Sequence, residues 1–221
     1  VKSCFESSDV SSTTTQVPAV YVQPIFALHV TLATFTRIHK VVDHNTAGMD
    51  RREFEKKRAT ELVRSASKFP EWPKEPIRLV ADSAQIGTRA GILLWKDLSG
   101  GVEAIRNCLR KAAASEATPS NSSSPLQHKT YPTIPGIIHS TILRFSTVPK
   151  TPGNQVQKKF GSAVREKIGK DFFPNSGNEE DKNNFVIVAD TVRLACESTP
   201  YMHFDADEEH VLWSYELKQE K

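Results

Sequence analysis

The sequence predicts an α+β protein with a duplicated, two-lobed fold, in which antiparallel-rich sheets form a central groove and helices pack outside. Three observations predict this fold. The order strand, helix, strand, strand occurs twice, turn residues bound the apolar strand runs, and the helical segments repeat their apolar residues every three or four positions. At 221 residues the chain is long enough to bury a sizeable core.

The first lobe is expected to span about 19–114, after a tail at 1–18 that is rich in Ser and Thr and expected to be disordered. It starts with a strand at 22–35 and a helix at 50–68. A hairpin formed by Ile77–Ile86 and Gly91–Trp95 follows, and then a helix at 102–114. The apolar stripes of the two helices are Ala59, Leu62, Val63 and Ala66, and Val102, Ile105, Leu109 and Ala112.

The second lobe is expected at about 136–218, after a flexible loop at 115–135 that is rich in Ser, Pro and Thr. The same order of elements returns within it. The predicted elements are a strand at 136–146, a helix at 154–168, and two strands at Phe185–Cys196 and His210–Leu217. Residues 19–218 are therefore expected to form a single bilobal domain.

The composition limits the classes of protein that fit. Apolar content of 38% and charged content of 25% are typical of a soluble globular protein, and a net charge of +3 is too small to coat nucleic acid by charge alone. No apolar run reaches the roughly 18 residues of a membrane span, so no membrane partner is expected. Cys4, Cys108 and Cys196 lack disulfide or metal-ligand spacing, which favours a reducing intracellular compartment, the cytoplasm ahead of an organelle. The oligomeric state stays open, with a monomer favoured.

Each lobe opens on a strand that carries a histidine, any residue and a threonine. These motifs are His29-Val30-Thr31 and His139-Ser140-Thr141. Because side chains alternate along a strand, each histidine shares a face with its threonine. If the two strands are neighbours, two imidazoles and two hydroxyls line one groove. Histidine changes charge near neutral pH, so the pair predicts an acid–base site for phosphate chemistry, although a single His-x-Thr is usually structural.

The two strands differ in how cleanly their faces separate. In the first, the packing face holds Phe26, Leu28, Val30 and Leu32, and small residues surround the polar pair on the other face. In the second, simple alternation groups His139 and Thr141 with Leu143 and Phe145, and groups Ser140 with Ile138, Ile142 and Arg144. Ser140 is small enough to be buried if its hydroxyl bonds the backbone. Arg144 needs the strand end or a β-bulge to escape the core.

The sequence resembles the 2H phosphoesterases, the superfamily that includes the bacterial RNA 2',3'-cyclic phosphodiesterases once called 2'-5' RNA ligases. The resemblance rests on Leu28–Ala33, on Ile138–Arg144 and on the repeated order of elements from about 20 to 218. The segment Tyr131–Gly136 is similar to plant or algal members. The long 115–135 loop and Ser140, which replaces the usual apolar middle residue, depart from the pattern.

This resemblance implies metal-independent hydrolysis of 2',3'-cyclic phosphates of nucleotides or RNA ends. It implies that His139 is the base and His29 the acid when the product is a 2'-phosphate, with inverted roles for the opposite regiochemistry. Thr31 and Thr141 would bind the phosphate oxygens. Arg144 stands where an arginine commonly closes the second motif, and it would contact substrate or form a structural ion pair.

Several alternatives remain open at the level of sequence. The same scaffold suits a 3'-5' RNA exonuclease, a 2'-5' phosphodiesterase, or a nucleotide- or RNA-binding module without turnover. The histidines of a purely structural domain would merely pack. Tyr131 and Phe145 would either stack on a base or pack in the core. No metal or other cofactor is expected, because there is no His-x-His, no acidic cluster beside either motif and no thiolate pair.

Overall fold

The computed structural model describes residues 20–23, 29–35, 51–87, 89–116, 132–145, 186–196 and 210–218, together with Lys159 and Ser162. Within these residues the protein is α+β, as predicted. The helices are α1 (Arg51–Ala66) and α2 (Gly101–Glu116). The strands are β1 (Val20–Val22), β2 (Ile77–Ile86), β3 (Ala90–Asp97), β4 (His139–Phe145), β5 (Val186–Ala189), β6 (Thr191–Ala195) and β7 (Val211–Glu216).

The strands form two sheets. The larger has the order β1-β4-β3-β2-β5, and the smaller consists of β6 and β7. The pairs β1–β4, β3–β4 and β6–β7 are antiparallel. The β2–β3 hairpin closes where the N–H of Gly87 donates to the carbonyl of Ala90 at 2.8 Å. The antiparallel hairpin predicted from the sequence is therefore present, and β4 lies between β1 and β3.

Both described helices form where their apolar stripes predict them. Every stripe residue predicted on α1 and α2 is buried, because those positions recur on one side of a 3.6-residue helix. The α2 helix begins after Asp97, whose carboxylate accepts hydrogen bonds from the N–H groups of Ser99, Gly100 and Val102. Gly100 has a φ of +74°, which a residue without a Cβ adopts at no steric cost.

Two predicted strands differ from the observed ones. The strand predicted at 22–35 is not continuous: β1 covers Val20–Val22, and residues 29–33 lie outside any strand. Pro24 has no N–H to extend a ladder, and the carbonyl of Leu32 accepts from the Arg106 side chain. The run predicted at 185–196 is broken at Asp190 into β5 and β6, which belong to different sheets. Aspartate is depleted in strands, and the Asp190 carboxylate accepts from the Thr191 hydroxyl at 2.9 Å.

The chain divides into two compact units, each built from three separate segments. Unit 1 contains 1–30, 79–96 and 137–187, and unit 2 contains 31–78, 97–136 and 188–221. Buried apolar residues of unit 1 include Leu79, Leu93, Trp95 and Leu143. The duplication and the lobe boundaries at 19–114 and 136–218 stay predictions. The predicted helix at 154–168 lies outside the described residues except for Lys159 and Ser162, which are both helical.

Unit 2 contains a cluster of three aromatic side chains. The buried ring of Trp72 meets Trp213 and Tyr215 edge-on, with centroid distances of 6.0 and 5.9 Å. Trp213 and Tyr215 lie two residues apart on β7 and stack on each other. These edge-to-face and stacked pairs tie β7 to the segment that follows α1. In the described segments, neither helix is long and apolar enough to cross a membrane.

Candidate active site

The strand that carries the second motif has one buried face and one accessible face. Ser140 and Leu143 are buried, with 3% and 0% of their surfaces exposed. His139, Thr141 and Arg144 are all partly exposed. Burial therefore separates these five residues into two groups that strict alternation along β4 does not produce.

The pairing of β4 with β3 explains the separation. On β3 the residues alternate regularly, and Leu94 pairs with His139, Ile92 with Thr141, and Ala90 with Arg144. The register shifts by one residue between the pairs of Gly91 and Ile92, which leaves Ile142 as an extra residue in β4. Because directly paired residues share a face of the sheet, the bulge returns Arg144 to the face of His139 and Thr141.

This arrangement corrects the faces expected from the sequence. Alternation alone groups Leu143 and Phe145 with His139, and it places Arg144 beside Ser140. In the structure Leu143 is buried and pairs with Gly91, which is also buried, and Phe145 pairs with Val20 and is partly exposed. A β-bulge was one of the two devices expected to free Arg144 from the core. We call the surface of His139, Thr141 and Arg144, with their β3 partners Ala90, Ile92 and Leu94, the His139 face.

A side-chain hydrogen bond fixes the buried side of β4. The indole Nε1 of Trp95 donates to the Ser140 hydroxyl at 3.0 Å, and both residues are buried. The sequence predicted that a backbone group would satisfy this hydroxyl, whereas the observed partner is a side chain of β3. The bond commits Ser140 to the side opposite the two motif residues that flank it.

Strand β1 lies on the other side of β4. Tyr21 pairs with Arg144, Val22 pairs with Leu143, and the N–H of Gln23 donates to the carbonyl of Ile142 at 2.9 Å. The N-terminal strand is therefore a direct neighbour of the strand that carries the second motif. The adjacency inferred from the repeat is that of the two His-x-Thr segments; the observed pairing involves residues 20–23, and the adjacency of the motifs themselves stays a prediction.

The first motif follows β1 along the chain. His29 is partly exposed and belongs to unit 1 together with β4, whereas Thr31 begins unit 2. Residues 29–33 have no strand structure, and Val30 and Leu32 are partly exposed rather than buried. The strict two-face pattern expected for this segment is therefore absent at 29–33. Tyr131, the other residue predicted to contact substrate, lies outside the described residues.

The structure shows a buried arginine, Arg106, beside the backbone that follows the first motif. Its side chain is 4% exposed, and its Nε donates to the carbonyl of Leu32 at 3.4 Å, directly after Thr31. Burial lowers the pKa of the Arg106 guanidinium, and the Glu103 carboxylate, 4.0 Å away, opposes that shift. The signal was present in the sequence, because position 106 falls inside the apolar stripe of α2, where a charged residue needs a partner.

The segment after the first motif has a second anchor. Thr34 and Thr133 exchange two backbone hydrogen bonds, of 2.8 and 2.9 Å, as an isolated antiparallel bridge. Together with the bond from Arg106, this bridge fixes residues 32–34 within unit 2. The backbone just past Thr31 is therefore held by a helix on one side and by residue 133 on the other.

Comparisons with known proteins return no relative. No family model matches the chain, no curated protein matches it, and no solved structure matches it. Among the described residues, no group of three or more His, Cys, Asp and Glu side chains is placed to hold a metal ion. The case for a function therefore depends on the two motifs and on the geometry around β4.

Proposed function

We propose that the protein is a phosphodiesterase that hydrolyses 2',3'-cyclic phosphates of nucleotides or RNA ends, with two histidines as acid and base and without a metal ion. In this proposal the two halves of the chain form a duplicated fold around one groove, whose floor includes the His139 face. His29 and Thr31 supply the groups of the other half.

One observation carries the proposal. The β-bulge at Ile142 brings a histidine, a threonine and an arginine, all partly exposed, to one face of one strand, while Ser140 and Leu143 are buried on the other. An imidazole, a hydroxyl and a guanidinium supply a proton acceptor, a hydrogen-bond donor and a fixed positive charge. This combination suits a phosphate group that gains negative charge during reaction.

The chemistry needs two proton transfers and one displacement at phosphorus. For a 2'-phosphate product, His139 takes a proton from water as the water oxygen bonds to phosphorus. The bond from phosphorus to the 3' oxygen breaks, and His29 gives that oxygen a proton. Thr141 and Arg144 hold the non-bridging oxygens as their charge grows, and Thr31 adds a further donor.

The proposal is tested by assaying purified protein on a nucleoside 2',3'-cyclic phosphate, an oligonucleotide with a cyclic phosphate end, and a 2'-5' linked dinucleotide. We expect turnover of the cyclic phosphates and a fall in kcat of about 10²- to 10⁴-fold for His29→Ala and for His139→Ala. His210→Ala is the matched control, because His210 belongs to neither motif, and it should leave kcat unchanged.

The other outcomes would assign a different activity or none. Turnover of the dinucleotide alone would assign a 2'-5' phosphodiesterase, and stepwise shortening of the oligonucleotide would assign a 3'-5' exonuclease. Binding without turnover would assign a binding module. Turnover that survives both histidine substitutions, or that is lost when EDTA is added, would overturn the paired-histidine mechanism.

A further inference from the structure

Strand β1 places two side chains on the His139 face that the proposed chemistry does not use. Tyr21 pairs with Arg144, and the N–H of Gln23 donates to the main chain of β4, which continues the pairing by one residue. Because the N–H of Gln23 extends the β1–β4 ladder, the alternation of side chains along an extended chain predicts that Tyr21 and Gln23 share the side of Arg144. Val22, between them, pairs with the fully buried Leu143.

Tyr21 is one of the large apolar side chains that the structure leaves exposed, with 41% of its surface accessible. Its ring lies one cross-strand position from Arg144, a residue proposed to hold phosphate. A nucleobase presents a flat π-face that stacks on such a ring, and an attached phosphate would lie toward the cation. An exposed aromatic side chain beside a phosphate-binding group therefore fits a nucleoside monophosphate better than a free phosphate.

Gln23 supplies an independent signal. The residue is 6% exposed, and its Oε1 is enclosed with no hydrogen-bond partner among the described residues. A buried carbonyl oxygen without a donor is unfavourable, so such a group needs an explanation. The terminal amide torsion of glutamine is soft, so rotation of the amide brings either of its ends toward the His139 face. A ligand that offers both N–H donors and hydrogen-bond acceptors would therefore pair with the Gln23 side-chain amide.

We infer that β1 and the residue after it form the nucleoside subsite of this face: the Tyr21 ring stacks on the nucleobase, and the Gln23 amide hydrogen-bonds to the nucleoside. The inference rests on the proposed function and assigns recognition of the nucleoside part of its substrate to two named residues. The cyclic phosphate ring itself is then held by Thr141 and Arg144.

The test compares two substrates with the same five-membered cyclic phosphate. Adenosine 2',3'-cyclic phosphate carries a nucleoside, and glycerol 1,2-cyclic phosphate does not. We expect Tyr21→Ser and Gln23→Met each to lower kcat/KM for the adenosine substrate by about tenfold or more, and to leave the glycerol substrate unchanged. Tyr21→Phe should retain most of the parent activity, because the ring is kept.

Matched controls separate this role from a structural one. Phe54→Ser removes an exposed aromatic ring on α1, and Gln85→Met changes an exposed glutamine on β2, so neither should affect either substrate. Gln23→Met should keep or raise the melting temperature, because it removes an enclosed oxygen that has no hydrogen-bond partner in the described part of the chain. A lower melting temperature with unchanged kcat/KM would overturn the role of Gln23.

Failure of the subsite and failure of the proposed function give different results. If Tyr21→Ser lowers kcat/KM equally for both substrates, or for neither, the proposed nucleoside subsite is wrong, while the proposed phosphodiesterase activity is unaffected. If the parent protein turns over neither substrate, isothermal titration calorimetry measures whether it binds adenosine 2'-monophosphate. Binding that Tyr21→Ser and Gln23→Met both weaken supports the subsite without the enzyme, and absence of binding overturns both.

Discussion

Ser140 stands between the two motif residues of β4, yet its side chain lies on the opposite face of the sheet. Its hydroxyl accepts the indole N–H of Trp95 at 3.0 Å, and both residues are buried. A large apolar residue there would leave the indole N–H without an acceptor. The hydrogen bond to Trp95 of β3 therefore explains serine at this position. Ser140 has no role in the chemistry proposed for the opposite face.

We expect Ser140→Ala to lower the free energy of unfolding by about 1–3 kcal/mol, because the buried indole N–H loses its acceptor. Urea unfolding of the parent and the variant measures the change. In a Trp95→Phe background the same substitution should cost less, since the donor is already absent. Ser83→Ala is the control, because the Ser83 hydroxyl contacts only the adjacent, exposed carboxylate of Asp82 in the described contacts. Equal losses in both backgrounds would contradict this account.

At the scale of elements, the sequence predicts the elements whose patterns are local. The apolar stripe of α1, for example, lies at positions set by the helix repeat alone, and β2 begins and ends at the predicted residues. The bulge at Ile142 was not predictable in this way. It depends on the register between β4 and β3, and β4 by itself would alternate without interruption.

The candidate site likewise contains features that local sequence patterns predict and features that depend on how the strands pair. His139 and Thr141 were placed on one face from their spacing, since the bulge follows both of them. The side taken by Arg144 required the bulge, and the exposure of Tyr21 required knowing which strand pairs with β4. At residues 29–33 the apolar run favours a strand, whereas the structure has none there, and the carbonyl of Leu32 accepts a hydrogen bond from Arg106 of α2.

The α2 helix holds the segment after the first motif through Arg106, and this suggests a test that does not need the substrate. Arg106→Met keeps an unbranched side chain in the buried site and removes the donor to the carbonyl of Leu32. We expect global stability to change little, because Met fills the buried site and the partner Glu103 is exposed and keeps its ion pair with Arg110, so no buried charge is left uncompensated. Hydrogen exchange in peptides that cover 29–35 should become faster, since the segment loses a hydrogen bond that ties it to α2.

Arg110→Met is the matched control for this experiment. Arg110 is exposed on the same helix and pairs with Glu103 at 2.7 Å. Its substitution should leave exchange at 29–35 unchanged. Equal exchange in the parent and in Arg106→Met, or equal acceleration in both variants, would show that Arg106 does not hold this segment.

At the scale of the whole molecule, the two compact units interleave along the chain. Each unit draws on three separate segments, so no continuous piece of sequence contains a complete unit. β2 runs from Ile77 in unit 2 to Ile86 in unit 1 without interruption. A unit built from distant segments gains its contacts only when the intervening stretches of chain close into loops, and those stretches contain the segments of the other unit.

We therefore expect the protein to unfold in one cooperative transition. Its three tryptophans report on both units, because Trp95 belongs to unit 1 while Trp72 and Trp213 belong to unit 2. In a Trp95→Phe variant, fluorescence follows unit 2, and in a Trp72→Phe, Trp213→Phe variant it follows unit 1. Within each variant, the urea midpoint by fluorescence should coincide with the midpoint by far-ultraviolet circular dichroism. A fluorescence midpoint that departs from the dichroism midpoint in either variant would show that one unit unfolds while the other persists.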